Sequence, residues 1–228
     1  MTVIPVIDLL QGRAVLAQRG QRRHYQPVNS PLCEQGDVLP LVERLTTRFR
    51  FNILYIADLD AIQGNGDNTA LIDTLSAHHR DLQIWLDAGF DGPDALRRMS
   101  TACRCRPVVG SETWQHSDPL PDHRCLLSID LDRHGLRDPS GIAADPSRYP
   151  RDVVLMNLDR VGADQGPDLA LLDIHSRRTS PHTRLYLAGG IRDSADIRAA
   201  HAAGAAGVLL ASAIHSGRVT PADLAAFS

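Results

Sequence analysis

Two aspartates follow apolar segments of similar composition in different halves of the chain. Asp8 ends the apolar run in "VIPVIDLLQGRAV" (3–15), and Asp130 ends the one in "CLLSIDLDRHG" (125–135). Two carboxyl groups that face one pocket can act as general acid and general base when their environments separate their pKa values. Each aspartate could instead only end a strand or bind loop amides. The choice depends on whether the fold brings the two carboxyl groups together.

Short apolar, β-branched segments alternate with amphipathic or Ala-rich patterns along the whole chain. Strands are predicted at 3–7, 51–57, 82–86, 106–110, 125–129, 152–156, 184–188 and 207–211. Helices are predicted at 38–49, 68–79, 93–100, 167–177, 194–204 and 220–227, with weak helix signals in 111–124 and 131–151. Short, continuously apolar strands are typical of parallel sheets that are buried on both faces. The order therefore predicts an α/β protein, a single-domain parallel (βα)8 barrel over residues 1–228, with an open doubly wound sheet as the alternative.

An internal repeat favours the barrel over the open sheet. "LYIADLDAIQGNGDNTALID" resembles "VLMNLDRVGADQGPDLALLD" at an offset of 99 residues, and Gly89 matches Gly190 at an offset of 101. Asp8 matches Asp130 at an offset of 122, which places an insertion of roughly 20 residues after the first strand. Two half-barrels of four units explain this repeat. The first and fifth strands then face each other, which predicts Asp8 and Asp130 on opposite sides of the C-terminal mouth, where barrel enzymes have their active sites.

The composition excludes several classes of partner. The net charge of -3 and the aromatic content of 4% give no reason to expect nucleic acid or an anionic membrane surface. No segment approaches the roughly 20 apolar residues of a membrane span, and the N-terminus lacks signal-peptide features. The four cysteines have no zinc-site spacing. We expect them to be reduced, and the protein to be cytoplasmic.

Several motifs together resemble those of the HisA/HisF family of histidine-biosynthesis barrels. They are "VIPVIDLLQGRAV", "LYIADLDAIQGNGDN", "VVGSE", "LSIDLDRHG", "LDRVGADQGPDLALL" and "LAGGIRDSADI", which cover almost the whole chain in strand order. The "IDL" ending of the first strand is closer to the HisA isomerase branch. The resemblance implies a phosphorylated ribosyl substrate and an Amadori rearrangement of an aminoaldose to an aminoketose, without metal or cofactor. It also implies that Asp8 and Asp130 are the acid–base pair, without assigning their roles.

The resemblance implies two phosphate cradles made of Gly-rich turns, one in each half-barrel. Glycine lets backbone amides approach a phosphate closely, and helix N-termini favour the anion. The turn after the third strand is "DAG" here, and the carboxylate of Asp87 would repel a phosphate. The cradle after the last two strands is therefore the better candidate. The candidate phosphate- or substrate-binding residues of the two cradles are Gly110, Ser111, Gly189, Gly190 and Ser212.

Other positions depart from the isomerase pattern. Met156 stands where that pattern has Thr, and Val161-Gly162-Ala163 replaces Asp-Gly-Thr. The inserted loop carries Arg19 and Arg22, which could clamp a carboxylate or phosphate or simply be solvated. Its "RGxRxxYxP" pattern resembles a divergent HisA-like branch of methanogens and methylotrophs. That resemblance implies a role in making a one-carbon carrier cofactor, such as tetrahydromethanopterin or methanofuran.

Asp58, at the end of the second strand, could bind substrate hydroxyls or only order its loop. Three hypotheses therefore remain. The losses at Met156 and Val161 favour a diverged HisA-like enzyme that acts on a phosphorylated small molecule. The alternatives are the authentic histidine-pathway isomerase and a non-catalytic barrel that binds a ligand or a partner.

Overall fold

Eight parallel strands close into a barrel in the computed structural model, which describes residues 1–99, 104–116, 118, 120 and 124–227. The barrel strands are β1 (Thr2–Leu10), β2 (Ile53–Asp58), β3 (Gln83–Asp87), β4 (Cys105–Gly110), β5 (Leu126–Asp132), β6 (Asp152–Asn157), β7 (Arg184–Ala188) and β8 (Gly207–Leu210). Each strand pairs with the next along the chain, and β8 pairs with β1 to close the ring. All eight predicted strands and the predicted (βα)8 fold class are confirmed.

Helices cover the outside of the barrel between most of the strands. They are α1 (Val38–Thr47), α2 (Leu59–Ile62), α3 (Thr69–His78), α4 (Pro93–Arg98), α5 (Leu169–Ser176), α6 (Ser194–Ala202), α7 (Ser212–His215) and α8 (Pro221–Leu224). The six predicted helices correspond to α1, α3, α4, α5, α6 and α8. In the described parts of the two segments with weak helix signals there is no α-helix, only a short strand (Gly135–Leu136) and a 3-10 helix (Pro146–Arg148).

Alternation along each strand separates two apolar layers, because successive side chains point to opposite faces. Inside the barrel, Trp85 of β3 meets Tyr186 of β7 edge to face, with ring centroids 5.1 Å apart. Ile84 and Leu86, the neighbours of Trp85 along β3, point outward into the layer beneath the helices. The same alternation continues to the end of β3, where Asp87 points inward again.

A charged cluster lies at the N-terminal end of the barrel. The buried carboxylate of Asp152 accepts hydrogen bonds from Arg106 and Arg184 at 2.9 Å and 2.6 Å, and from the Tyr186 hydroxyl. These two guanidinium groups hold the pKa of Asp152 low against the opposing effect of burial. These hydrogen bonds link β4, β6 and β7 at this end of the barrel.

A β-hairpin follows the inward-facing aspartate in each half-barrel. After Asp8, β1 turns back into the short strand Arg13–Leu16, and after Asp130, β5 turns back into Gly135–Leu136. The insertion predicted after β1 continues through a 3-10 helix (Arg22–His24) and a short strand (Gln26–Pro27) before α1 begins. The two hairpins support the internal repeat that the sequence predicts.

The cysteines differ in state. Cys33 is a free cysteine in the buried core, whereas Cys105 is disulfide-bonded, so the expectation of reduced thiols is wrong for Cys105. Cys103 lies outside the described residues. Within the described ranges, no helix is long and apolar enough to cross a membrane.

Candidate active site

The C-terminal mouth of the barrel holds a cavity of about 140 Å³ that opens to solvent. Strand alternation determines which side chains form the bottom of this cavity, because the last inward-facing residue of each strand lies at this end of the barrel. The ionisable side chains in the lining of this cavity are Asp8, Arg22, Tyr25, Tyr55, Asp87, Glu112, Asp130 and Arg137. The two aspartates of the sequence repeat thus share one cavity.

Asp8 lies at the end of β1, held by backbone pairing with β2 on one side and with its own hairpin on the other. No described residue donates a hydrogen bond to its carboxyl group in the structure. Burial raises the pKa of Asp8 to about 7, an effect that Arg22 opposes and the charge of Asp87 reinforces. Its carboxyl group can therefore accept or release a proton near neutral pH.

Asp130 lies across the mouth on β5, with 6% of the residue exposed. Ser128 Oγ donates to Asp130 Oδ1 at 2.8 Å, and the backbone amide of Glu112 lies close enough to this carboxyl group to lower its pKa. Burial, followed by the charges of Glu112 and Asp87, raises the pKa of Asp130 well above its ordinary value. This environment therefore favours the protonated form of Asp130 more than water does.

A third carboxyl group, Asp87, ends β3 beside Asp130. Its Oδ1 accepts from the Gly89 amide at 3.1 Å, and its Oδ2 accepts from the Tyr55 hydroxyl at 3.3 Å. Burial raises the pKa of Asp87 to about 6. A Cβ built on Gly110 would lie 3.3 Å from Asp130 Oδ2 and 3.7 Å from Asp87 Oδ2. The glycine therefore leaves room for both carboxyl groups.

The inserted loop brings Arg22 into the mouth. Its guanidinium donates to Glu112, the residue after Ser111, and Arg137 Nη1 donates to the other oxygen of Glu112 at 3.1 Å. The loop is also held from the opposite side, because the Arg19 amide donates to the Val161 carbonyl at 2.9 Å. The loop thus spans the mouth from the turn after β4 to the turn after β6.

The other side of the mouth is glycine-rich. Gly189 and Gly190 follow β7 with φ of +95° and +89°, a region that favours glycine. A Cβ on Gly190 would lie 2.1 Å from the Gly166 carbonyl oxygen, so close packing also requires the glycine. These two residues, together with Ala211 and Ser212 after β8, line the cavity. No described lining residue from β6 to Ser212 carries a charge.

Three of the predicted site residues, Ser111, Arg19 and Asp58, lie outside the cavity lining. Ser111 is fully buried, and its amide and hydroxyl donate to the carbonyls of Ser128 and Arg137. Arg19 is exposed and outside the cavity lining. The Asp58 carboxylate accepts from the Ala61 amide and from both nitrogens of Asn68, so it orders the loop after β2 outside the cavity lining. Ser111 therefore has no donor left for a phosphate.

Sequence reasoning missed Glu112, Arg137 and Tyr55 as parts of the site. Glu112 stands inside the quoted "VVGSE" motif, so its carboxyl group was visible and could have been found. Arg137 had no such signal, because only the hairpin after β5 returns it to the mouth. There its Nε donates to Asp132 at 2.7 Å. Asp87 was predicted to repel phosphate, and the structure adds that it lies beside Asp130.

The fold and the acidic mouth define an α/β barrel with an enzyme-type site at the C-terminal ends of its strands. The family model described as "Histidine biosynthesis protein" matches residues 2–137 and 140–220. The chain belongs to this histidine biosynthesis protein family.

Individual relatives are similar over nearly their full length. An uncharacterized protein of Methanocaldococcus jannaschii is 27% identical, covering 95% of this chain and 94% of the relative. Two others bear the name 1-(5-phosphoribosyl)-5-((5-phosphoribosylamino)methylideneamino) imidazole-4-carboxamide isomerase. The one from Pyrobaculum aerophilum is 27% identical, covering 94% of this chain and 96% of the relative. The one from Stenotrophomonas maltophilia is 26% identical and covers 97% of both chains.

Proposed function

We propose that the protein is a diverged HisA-like enzyme that transfers protons on a phosphorylated ribosyl or similar small molecule. The observation that carries the proposal is the pair Asp8 and Asp130, which lie on opposite strands of the barrel and line one cavity. Burial raises the pKa of both carboxyl groups, to about 7 for Asp8 and well above the ordinary value for Asp130. Two carboxyl groups that line one cavity, each with its protonated form favoured by burial, can give protons to a substrate and take them from it.

The surroundings of the two carboxyl groups suggest the roles that the sequence left open. Asp130 is the more deeply enclosed of the two, with Glu112 and Asp87 nearby, and it acts as the general acid. Asp8 titrates near neutral pH and acts as the general base. In an aminoaldose–aminoketose rearrangement, Asp130 would protonate the ring oxygen to open the furanose, and Asp8 would remove the proton from C2. The relatives named as isomerases support this class of reaction.

We place the phosphate of the substrate at Gly189, Gly190 and Ser212. Glycine in this turn lets a phosphate approach the backbone closely, and the neighbouring lining residues are uncharged. The equivalent turn in the first half-barrel has Asp87 and Glu112 instead, which disfavour a second phosphate. The "RGxRxxYxP" loop supports a pathway that makes a one-carbon carrier cofactor.

The main alternative is the reaction named for the relatives, the histidine-pathway isomerase. Whole-length similarity to those relatives favours it, whereas Met156, Val161 and Asp87 are departures from its sequence pattern. Complementation separates the two hypotheses. The gene is expressed in a histidine auxotroph that lacks the isomerase, with the Pyrobaculum aerophilum relative as positive control. Robust growth would establish the alternative, and we expect none although folded protein accumulates.

A non-catalytic barrel is the remaining alternative. It predicts that Asp8→Asn and Asp130→Asn leave the protein's function in its host unchanged. We expect instead that each variant fails to replace the wild-type gene in a deletion strain. An exposed variant, Asp94→Asn, serves as the control and should replace it fully.

A further inference from the structure

Charge is distributed unevenly around the mouth. Glu112 forms ion pairs with Arg22 and Arg137. Asp8, Asp87 and Asp130 have no ion pair with any described residue, and all three line the same cavity. The opposite arc, from Met156 on β6 to Ser212 after β8, carries no charged lining residue in the described part of the chain. One side of the cavity is therefore acidic, and the other is neutral.

The acidic side also has acceptors without donors. The Asp8 carboxyl group accepts no hydrogen bond from any described residue, and Oδ2 of Asp130, which is nine-tenths buried, lies beside Asp87 Oδ2 across Gly110. These carboxyl oxygens line the open cavity, so a group that enters the cavity can donate hydrogen bonds to them. A donor supplied by a ligand would satisfy these oxygens.

We propose that Asp87, with Asp130 beside it, binds an ammonium group of the substrate on the side of the cavity that faces the phosphate. The substrate class is then a phosphate monoester that carries a primary amine. The inference deepens the proposed function and rests on it. In the ring of strands, β3 lies opposite β7, so Asp87 faces the turn of Gly189 and Gly190.

An organic cation fits this place better than a phosphate or a metal ion. A phosphate would meet the carboxylates of Asp87 and Glu112. Among the described residues, no group of three or more carboxylate, His or Cys side chains is arranged to hold a metal ion. An ammonium carries three donors, and the Asp87 carboxylate and Oδ2 of the Asp130 side chain can both accept from it. Its positive charge would also stabilise the carboxylate of Asp87, whose pKa burial raises to about 6.

Calorimetry with simple probes tests the proposal on the intact protein. Aminopentyl phosphate is compared with pentyl phosphate, which lacks the amine, and with pentanediol bisphosphate, which replaces it with a second phosphate. We expect aminopentyl phosphate to bind roughly tenfold more tightly than pentyl phosphate, because a charge-assisted hydrogen bond has about that effect. The bisphosphate should bind more weakly than pentyl phosphate.

The variant Asp87→Asn keeps the size of the side chain and removes its charge. It should reduce the preference for the amine to near onefold and leave the affinity for pentyl phosphate equal or higher. Asp94→Asn, on the exposed face of α4, is the matched control and should keep the preference. Circular dichroism verifies that each variant is folded. A preference that is absent in the wild type, or that survives in Asp87→Asn, would overturn the proposal.

Failure of the phosphate site gives a different result from failure of the amine site. If inorganic phosphate and pentyl phosphate both fail to bind, the phosphate part of the proposed function is wrong, and pentylamine is then compared with pentanol. Binding of pentylamine that Asp87→Asn abolishes would still support the ammonium site, and equal binding of pentylamine and pentanol would reject it. Magnesium that displaces aminopentyl phosphate would also reject it.

Discussion

The two half-barrels have kept the same frame and have acquired different chemistry. In the first half, Asp58 at the end of β2 accepts a hydrogen bond from the Asn68 side chain at 2.7 Å. In the second half, Asn157 at the end of β6 donates to Asp168 at 2.7 Å. The acid and the amide have exchanged places, and the hydrogen bond between the strand end and the following helix is retained. The contact between the strand end and the following helix therefore tolerates sequence change that preserves one donor and one acceptor.

In the cavity lining, by contrast, equivalent positions of the two halves do not all keep matching polar groups. By the offset of the repeat, Asp87 corresponds to Ala188, and Glu112 corresponds to Ala213. The first half thus places two carboxyl groups where the second half has only methyl groups. Asp8 and Asp130, by contrast, are the same in both halves. A duplicated barrel can keep a symmetric acid–base pair while its two binding ends become specific for groups of opposite charge.

The largest effect is expected from breaking the symmetric pair. Asp8→Asn and Asp130→Asn each remove a proton-transfer group, so kcat should fall by roughly 100-fold or more. Product formation in extracts of a deletion strain, restored with each purified variant, measures this loss. Asp94→Asn should restore wild-type rates. A variant of either aspartate with full activity would contradict the assigned roles.

The glycines test whether both halves need the same close packing. Gly190→Ala places a Cβ 2.1 Å from the Gly166 carbonyl, and Gly89→Ala places one 2.7 Å from the Ile62 Cα. Both backbones have positive φ, so we expect each variant to lose about 2 to 4 kcal/mol of unfolding free energy. Urea denaturation measures the loss. Gly64→Ala, with similar φ and open space, should lose only about 1 kcal/mol.

The acidic half should make stability depend on pH. Because the folded-state pKa of Asp87 is about 6, above its ordinary value of 3.8, the folded protein binds more protons than the unfolded chain between these pH values. The contribution of Asp87 to stability therefore falls as pH rises through this window and is constant above it. Asp87→Asn removes this contribution and should gain on the order of 2 kcal/mol relative to wild type between about pH 4 and pH 7.

The matched control for this titration is Asp94→Asn, whose unfolding free energy should follow the wild-type pH dependence in urea denaturation. Asp8 and Asp130 are present in both proteins, but the charge of Asp87 raises their pKa values, so their own contributions to the pH dependence should also become smaller in Asp87→Asn. An Asp87→Asn variant with the wild-type pH slope would show that Asp87 is not a buried acid.

The smallest effect concerns anion binding. Crystals soaked in sulfate should hold an ion beside Gly189, Gly190 and Ser212, and none beside Asp87, because only the second cradle lacks a repelling carboxylate. Sulfate should also raise the melting temperature by a few degrees at most through weak binding to the folded state. An ion found only in the first cradle, beside Asp87, would contradict the prediction that the second half-barrel binds the anion.

Much of the fold and part of the site could be predicted from local pattern. All eight strands follow from short apolar runs, since burial on both faces of a parallel sheet requires them. The pairing of Asp8 with Asp130 followed from the repeat. Ser111 and Asp58 show the limit, because their polar side chains are used by neighbouring backbone and loop groups. Only the folded chain shows which donors and acceptors are already occupied.

The sequence by itself determined the barrel, the order of its strands and the inward aspartate of each half, because these depend on periodicity and repetition along the chain. Tertiary structure decided the chemistry of the mouth. It brought Asp87 beside Asp130 across Gly110, and it carried Arg22 and Arg137 to Glu112. These features join residues that are distant in the chain, and their energies come from burial and charge, which exist only once the barrel has closed.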